Sequence, residues 1–142
     1  MGVPSDKRAG VEEILTYLPY FETVEEDMIS RVVTQELEED GSMPVDTIMY
    51  RNPILGFIED AYVANILEPK YIEIMNAEAQ GEIELEVLVY ALPRASYQLT
   101  MAVLTCIIRQ EQFAPGLWGL ATKEGWFLKI LKRLEVLMEE DD

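Results

Sequence analysis

The stretch SYQLTMAVLTCIIRQE, Ser96 to Glu111, decides the fold. Leu99, Val103, Cys106 and Ile107 recur at helical spacing on one side, and Met101, Leu104 and Ile108 on the other. A helix apolar all round belongs in an interior, and this one is too short to cross a bilayer. The spacing therefore predicts a buried central helix over 96–111 with the rest of the chain packed around it.

Towards the carboxy terminus, Phe113-Ala114-Pro115-Gly116 reads as a turn. A short helix follows through Leu117, Trp118, Leu120 and Ala121, and Gly125 closes it. The last helix carries Phe127, Ile130, Leu131, Leu134, Leu137 and Met138 as one stripe. Its terminal acids sit at the negative end of the helix dipole, so 139–142 are expected to fray, as are residues 1–8.

Towards the amino terminus, Val11, Ile14, Leu15 and Leu18 mark a short amphipathic helix that Pro19 is expected to end. Thr23 followed by Glu26 forms a capping box. It predicts a helix through Met28, Ile29, Val32, Val33 and Leu37 to about Glu39, stopped by Gly41. Residues 42–52 read as a loop with an extended piece at Thr47–Tyr50. Asn52-Pro53 is read as an N-cap and first-turn pair opening a helix to about Leu67, with Ile54, Phe57, Ile58, Ala61, Tyr62, Ile66 and Leu67 inward. Tyr71–Ala79 predicts another helix. In 82–92 a strand-like alternation gives way to helical spacing, and with no clear second strand to pair with, it is read as helix. The expected fold is all-α: one domain over 1–142, six or seven short helices around 96–111.

Composition removes several chemistries. The chain has 142 residues, no His and one Cys. A His-based general base, a Ser-His-Asp or Cys-His arrangement, a His-containing zinc site and an internal disulfide all lack their parts. Cys106 lies inside an apolar run and reads as a small buried hydrophobe. The amino terminus shows no signal-peptide pattern, and no run of about 18 apolar residues occurs. A soluble, cytoplasmic protein is the expectation.

The net charge is −16, unevenly placed. Residues 1–86 hold 20 acids and 5 bases, net −15; residues 87–142 hold 7 acids and 6 bases, net −1. Direct nucleic-acid binding rests on Lys and Arg at phosphates, and an anionic membrane makes the same demand, so neither is expected.

From Thr105 to Leu134 the order TCIIRQEQFAPGLWGLATKEGWFLKILKRL resembles the carboxy-terminal signature of a widespread prokaryotic domain family of unknown function. An apolar helix ends in Arg109. Glu111, Phe113, Gly116, Ala121, Gly125, Ile130-Leu131 and Arg133-Leu134 follow in the family's order. LPYFE (Leu18–Glu22) and PILGFIEDAY (Pro53–Tyr62) also resemble family segments. The chain departs from the pattern at Ala114-Pro115, where the family often has Cys-Glu, and at Lys70-Tyr71-Ile72, where it often has Phe-Asp-Trp. The resemblance implies a compact helical domain and no particular activity.

Several residues could carry function. Arg109 is read as binding helix-terminal carbonyls, Glu111 or a carboxylate of the acidic half; its functional alternative is an anion contact. Gly116 and Gly125 fit turns and caps better than a phosphate loop. Lys129, Lys132 and Arg133, with Lys123 nearby, form the one basic cluster. The first three share a helix face that is either solvated or a docking patch for an acidic surface, including a second copy. Trp118, Trp126 and Tyr20 are candidate apolar partner contacts. The acids Glu22, Glu25, Glu26, Asp27, Glu36, Glu38, Glu39 and Asp40 match no EF-hand, and Glu59 beside Asp60 could be a partly buried carboxylate.

No catalytic residue, cofactor or metal ligand is assigned. A non-enzymatic interaction or regulatory module, with a protein partner or self-association, leads. A carboxylate- or metal-dependent enzyme and an acidic nucleic-acid mimic that occupies a basic partner are the alternatives. Arg109, Trp118, Lys129, Lys132 and Arg133 are the expected partner contacts.

Overall fold

Ser96 opens the central helix by accepting a hydrogen bond from the Leu99 N–H at 3.1 Å. A computed structural model describes residues 2–25, 29–35, 45–78 and 84–140. In chain order these form α1 (Arg8–Leu15), α2 (Leu18–Thr23), β1 (Ser30–Gln35), β2 (Val45–Tyr50), α3 (Ile54–Val63), α4 (Tyr71–Glu78), α5 (Leu85–Ala91), a 3-10 turn at Leu92–Arg94, α6 (Tyr97–Gln110), α7 (Leu117–Lys123) and α8 (Trp126–Glu139). The helical fold read from the sequence is present, with α6 at its centre and one β-hairpin added.

α6 is buried on both sides: Leu99, Met101, Ala102, Val103, Leu104, Ile107 and Ile108 are all core residues. Its buried threonines are satisfied locally. Thr105 donates to the Met101 carbonyl at 2.7 Å and accepts from the Glu68 N–H at 2.9 Å, which pins the α3–α4 connection to α6. Against it lies α8, with Phe127, Ile130, Leu131, Leu134 and Leu137 fully buried. An aromatic cluster joins α2, α3 and α8: Phe21 and Phe57 lie 5.0 Å apart between ring centroids, and Phe57 and Phe127 5.2 Å. Val3 is fully buried, and Arg8 donates to the carbonyls of Met138 at 3.0 Å and Glu140 at 2.7 Å. α1 is thereby tied to the end of α8.

Where a helix was expected from Thr23 to Glu39, residues 30–35 form a strand. Thr23 ends α2, and its hydroxyl donates back to the Pro19 carbonyl at 2.9 Å; Glu26, the other half of the expected capping box, lies outside the described residues. β1 then pairs antiparallel with β2, from Ser30 opposite Tyr50 to Gln35 opposite Val45. Val32-Val33-Thr34 and Thr47-Ile48 are β-branched, and a pairing partner lets that preference prevail over a short helical period. The remainder of the expected helix, at 26–28 and 36–39, lies outside the described residues. Pro19 sits in the first turn of α2, so it starts a helix where it was expected to stop one. Asn52 does not cap α3, whose N-cap is Pro53, and α3 ends at Val63, leaving Tyr62 51% exposed.

Candidate functional site

The three cations of the α8 face come together as their spacing predicts. Lys129, Lys132 and Arg133, with Pro93, Leu128 and Val136, line a groove of about 370 Å³. Each has a partner within the chain. Arg133 Nε donates to the Ala95 carbonyl at 2.8 Å and fastens α8 to the entry of α6. Lys132 Nζ lies 3.2 Å from Glu22 Oε1, both side chains exposed. Lys129 Nζ stands 5.2 Å from the centroid of the Tyr90 ring. Tyr90 itself is 82% exposed and Val136 45% exposed. A basic rim thus borders uncovered apolar surface. Sequence reading found the cations but missed Tyr90, since only packing of α5 beside α8 brings the two together.

Arg109 and Trp118 share a second depression, of about 480 Å³, with Tyr62, Ile108, Glu111 and Gln112. Arg109 does not pair with Glu111. Its guanidinium carbon lies 5.9 Å from the Tyr71 ring centroid, and the side chain is exposed. Glu111 is engaged elsewhere. Its Oε1 accepts from the Tyr50 hydroxyl at 2.5 Å and from the Trp118 N–H at 2.9 Å, while Oε2 accepts from the Gly116 N–H at 2.7 Å.

The first turn of α7 therefore receives its anion from the protein itself, and the backbone donors around Gly116 are spoken for. Gly116 (φ 98°) and Gly125 (φ 77°) adopt left-handed conformations at the starts of α7 and α8, as turn and cap residues do. The Tyr50 hydroxyl oxygen accepts in turn from the Gly119 N–H at 3.3 Å, and burial followed by the Glu111 hydrogen bond pushes its pKa up. Trp118 packs against Tyr50 with ring centroids 5.2 Å apart and donates its indole N–H to the Ile108 carbonyl at 3.1 Å. Trp118 is half-buried and Trp126 buried, so neither offers the exposed ring the sequence suggested. Tyr20 is half-buried against Phe21.

The carboxylates show no acid–base pair at Glu59 and Asp60. Glu59 is exposed, and Asp60 accepts from the Tyr17 hydroxyl at 2.6 Å. Glu26, Asp27, Glu36, Glu38, Glu39 and Asp40 lie outside the described residues. Among the described residues no three of His, Cys, Asp and Glu gather closely enough to hold a metal ion, and no helix is long and apolar enough to cross a membrane.

A model of a family of unknown function, DUF6508, matches residues 7–140. The chain belongs to this family. The matched span of DUF6508 runs from the residue before α1 to the one after α8, and so takes in both depressions and the hairpin. No curated protein matches the chain. No solved structure matches it.

Proposed function

We propose that the protein is a non-enzymatic interaction module whose docking surface is the α8 groove beside Tyr90, and that the occupant is a second copy of this chain. One observation carries the reading: Tyr90, 82% exposed, and Val136 lie uncovered beside Lys129 and Lys132. An exposed aromatic bordered by cations suits a partner that brings apolar side chains flanked by carboxylates. This chain supplies such a partner, because its residues 1–86 carry 20 acids against 5 bases. Glu22 already meets Lys132 within one molecule, so the acidic half and the basic face are chemically matched. Glu111 accepts three hydrogen bonds at the start of α7, and the Arg109 guanidinium lies over the Tyr71 ring, so both already serve the chain's own packing.

Light scattering over a concentration series tests this at about 0.1 M salt, where the self-repulsion of the −16 chain is screened. A dimer that dissociates in Tyr90→Ser and in Lys129→Glu, with unchanged circular dichroism, supports the reading. A monomer at millimolar concentration, or a dimer indifferent to both substitutions, overturns it. The cytoplasm is the proposed location, for a chain whose single thiol and acidic surface suit it.

A further inference from the structure

We infer that the cavity between α4 and α6 is a binding site for a neutral, mainly apolar small molecule of one or two rings that carries a hydroxyl or carbonyl. The cavity measures about 450 Å³, within the range of small-molecule sites. Its walls are built from ridges one helical turn apart: Tyr71 and Met75, then Ile72 and Asn76, on α4, facing Cys106 and Gln110 on α6. Leu85, at the start of α5, and Leu117, at the start of α7, complete the lining.

The chemistry of these walls selects the ligand. None of the eight lining residues is charged, in a chain 27% of whose residues are. An ionic ligand would bury its charge without a counter-charge, which is costly. Apolar side chains dominate, and Ile72, 57% exposed, forms a rim that a bound ring would cover.

Three polar groups fix orientation: the amides of Asn76 and Gln110 and the Tyr71 hydroxyl. Gln110 Nε2 lies 3.5 Å from the Tyr71 oxygen, at the outer limit of a hydrogen bond, so both keep capacity for a shorter one. Arg109 and Glu111 line the separate depression described above; Arg109 meets this cavity's wall at the Tyr71 ring, 5.9 Å from its centroid, and is not itself in the lining.

Cys106 makes the site measurable. It is the single thiol of the chain and lines the cavity half-buried, so its modification rate reports occupancy of this cavity. The full chain is treated with 4,4′-dithiodipyridine, with or without 2-naphthol; naphthalene-2-sulfonate, the same ring system with a permanent charge, is the comparison. Modification should slow in proportion to added 2-naphthol, by about tenfold when the probe is near ten times its Kd. Naphthalene-2-sulfonate should protect at least about tenfold less tightly. Ile72→Ser, at the exposed rim, should weaken 2-naphthol severalfold, and Leu85→Trp, which fills the cavity, should abolish protection with the circular dichroism unchanged.

An unaltered rate at the solubility limit of 2-naphthol overturns the assignment. So does equal protection by the sulfonate, or full protection in a folded Leu85→Trp. If the free thiol resists the reagent, saturation-transfer NMR of the same two probes on the same variants distinguishes the same outcomes.

Discussion

The Tyr50 hydroxyl donates to Glu111 Oε1 at 2.5 Å across 61 residues of sequence, and this contact joins the hairpin to the α6–α7 corner. Glu111 meets two backbone donors of α7 at the same time, so its removal strands three donors at once. Glu111→Ala should cost about 2–3 kcal/mol, measured by urea unfolding. A double-mutant cycle with Tyr50→Phe should return a coupling of about 1 kcal/mol or more; additive losses would mean that the hydroxyl and the carboxylate do not interact.

Gly10 sits where α1 crosses the α3–α4 connection. A Cβ there would stand 2.7 Å from Ile66 Cγ2 and 2.9 Å from Ala64 Cβ. In an open helix Gly→Ala stabilises by about 1 kcal/mol, but here overpacking reverses the sign. Gly10→Ala should lose about 1–3 kcal/mol. Gly125→Ala meets no neighbour within 4 Å yet holds φ at +77°, so its cost of about 1 kcal/mol comes from backbone strain alone. Comparison of the two melting points checks both.

Tyr97 is buried, and among the described residues its hydroxyl has no hydrogen-bond partner. A buried phenol without a partner is a liability, because the folded chain forfeits its bond to water. Tyr97→Phe should therefore leave stability unchanged or raise it by up to about 1 kcal/mol. A loss above about 1 kcal/mol in thermal unfolding would show that the hydroxyl is satisfied.

Alkaline pH should weaken the fold through four phenols, of which Tyr20 is raised by burial. Burial, and after it the Asp60 hydrogen bond, pushes Tyr17 up to about 12; burial, then the charges of Asp6 and Glu68, pushes Tyr97 up to about 12; Tyr50 is also raised. An unfolded tyrosine titrates near pH 10. The folded chain thus holds more protons than the unfolded one above that pH. The stabilisation is complete below about pH 10 and declines as pH rises towards 12. With no His in the chain, urea midpoints should be level between about pH 6 and 8. Tyr97→Phe should flatten the alkaline slope.

The basic face holds one cation bound to backbone and one paired in solvent. Arg133 Nε serves a backbone carbonyl and is half-buried, so Arg133→Ala should cost about 1 kcal/mol. Lys132 pairs with Glu22 in solvent, and Lys132→Ala should stay within about 0.5 kcal/mol of the parent. Chemical denaturation of the two variants distinguishes the roles.

Local pattern alone accounts for the helical body. The double-sided apolar pattern of 96–111 leaves burial as the only outcome for α6, and the stripe from Phe127 to Leu137 needs only its period to find the core. Gly116 and Gly125 were legible as turns because positive φ favours their missing side chain. Pairings between distant segments had to await the folded chain. Val32-Val33-Thr34 carries a period too short to tell strand from helix, and β2 settles it by supplying the ladder's hydrogen bonds. Glu111 could have met Arg109 two residues away, but Tyr50 and the first turn of α7 offer it three aligned donors at once. Tyr90 joins the basic face, and Cys106 lines a cavity, because helix packing sets which neighbours cover a residue, and local spacing holds no record of that.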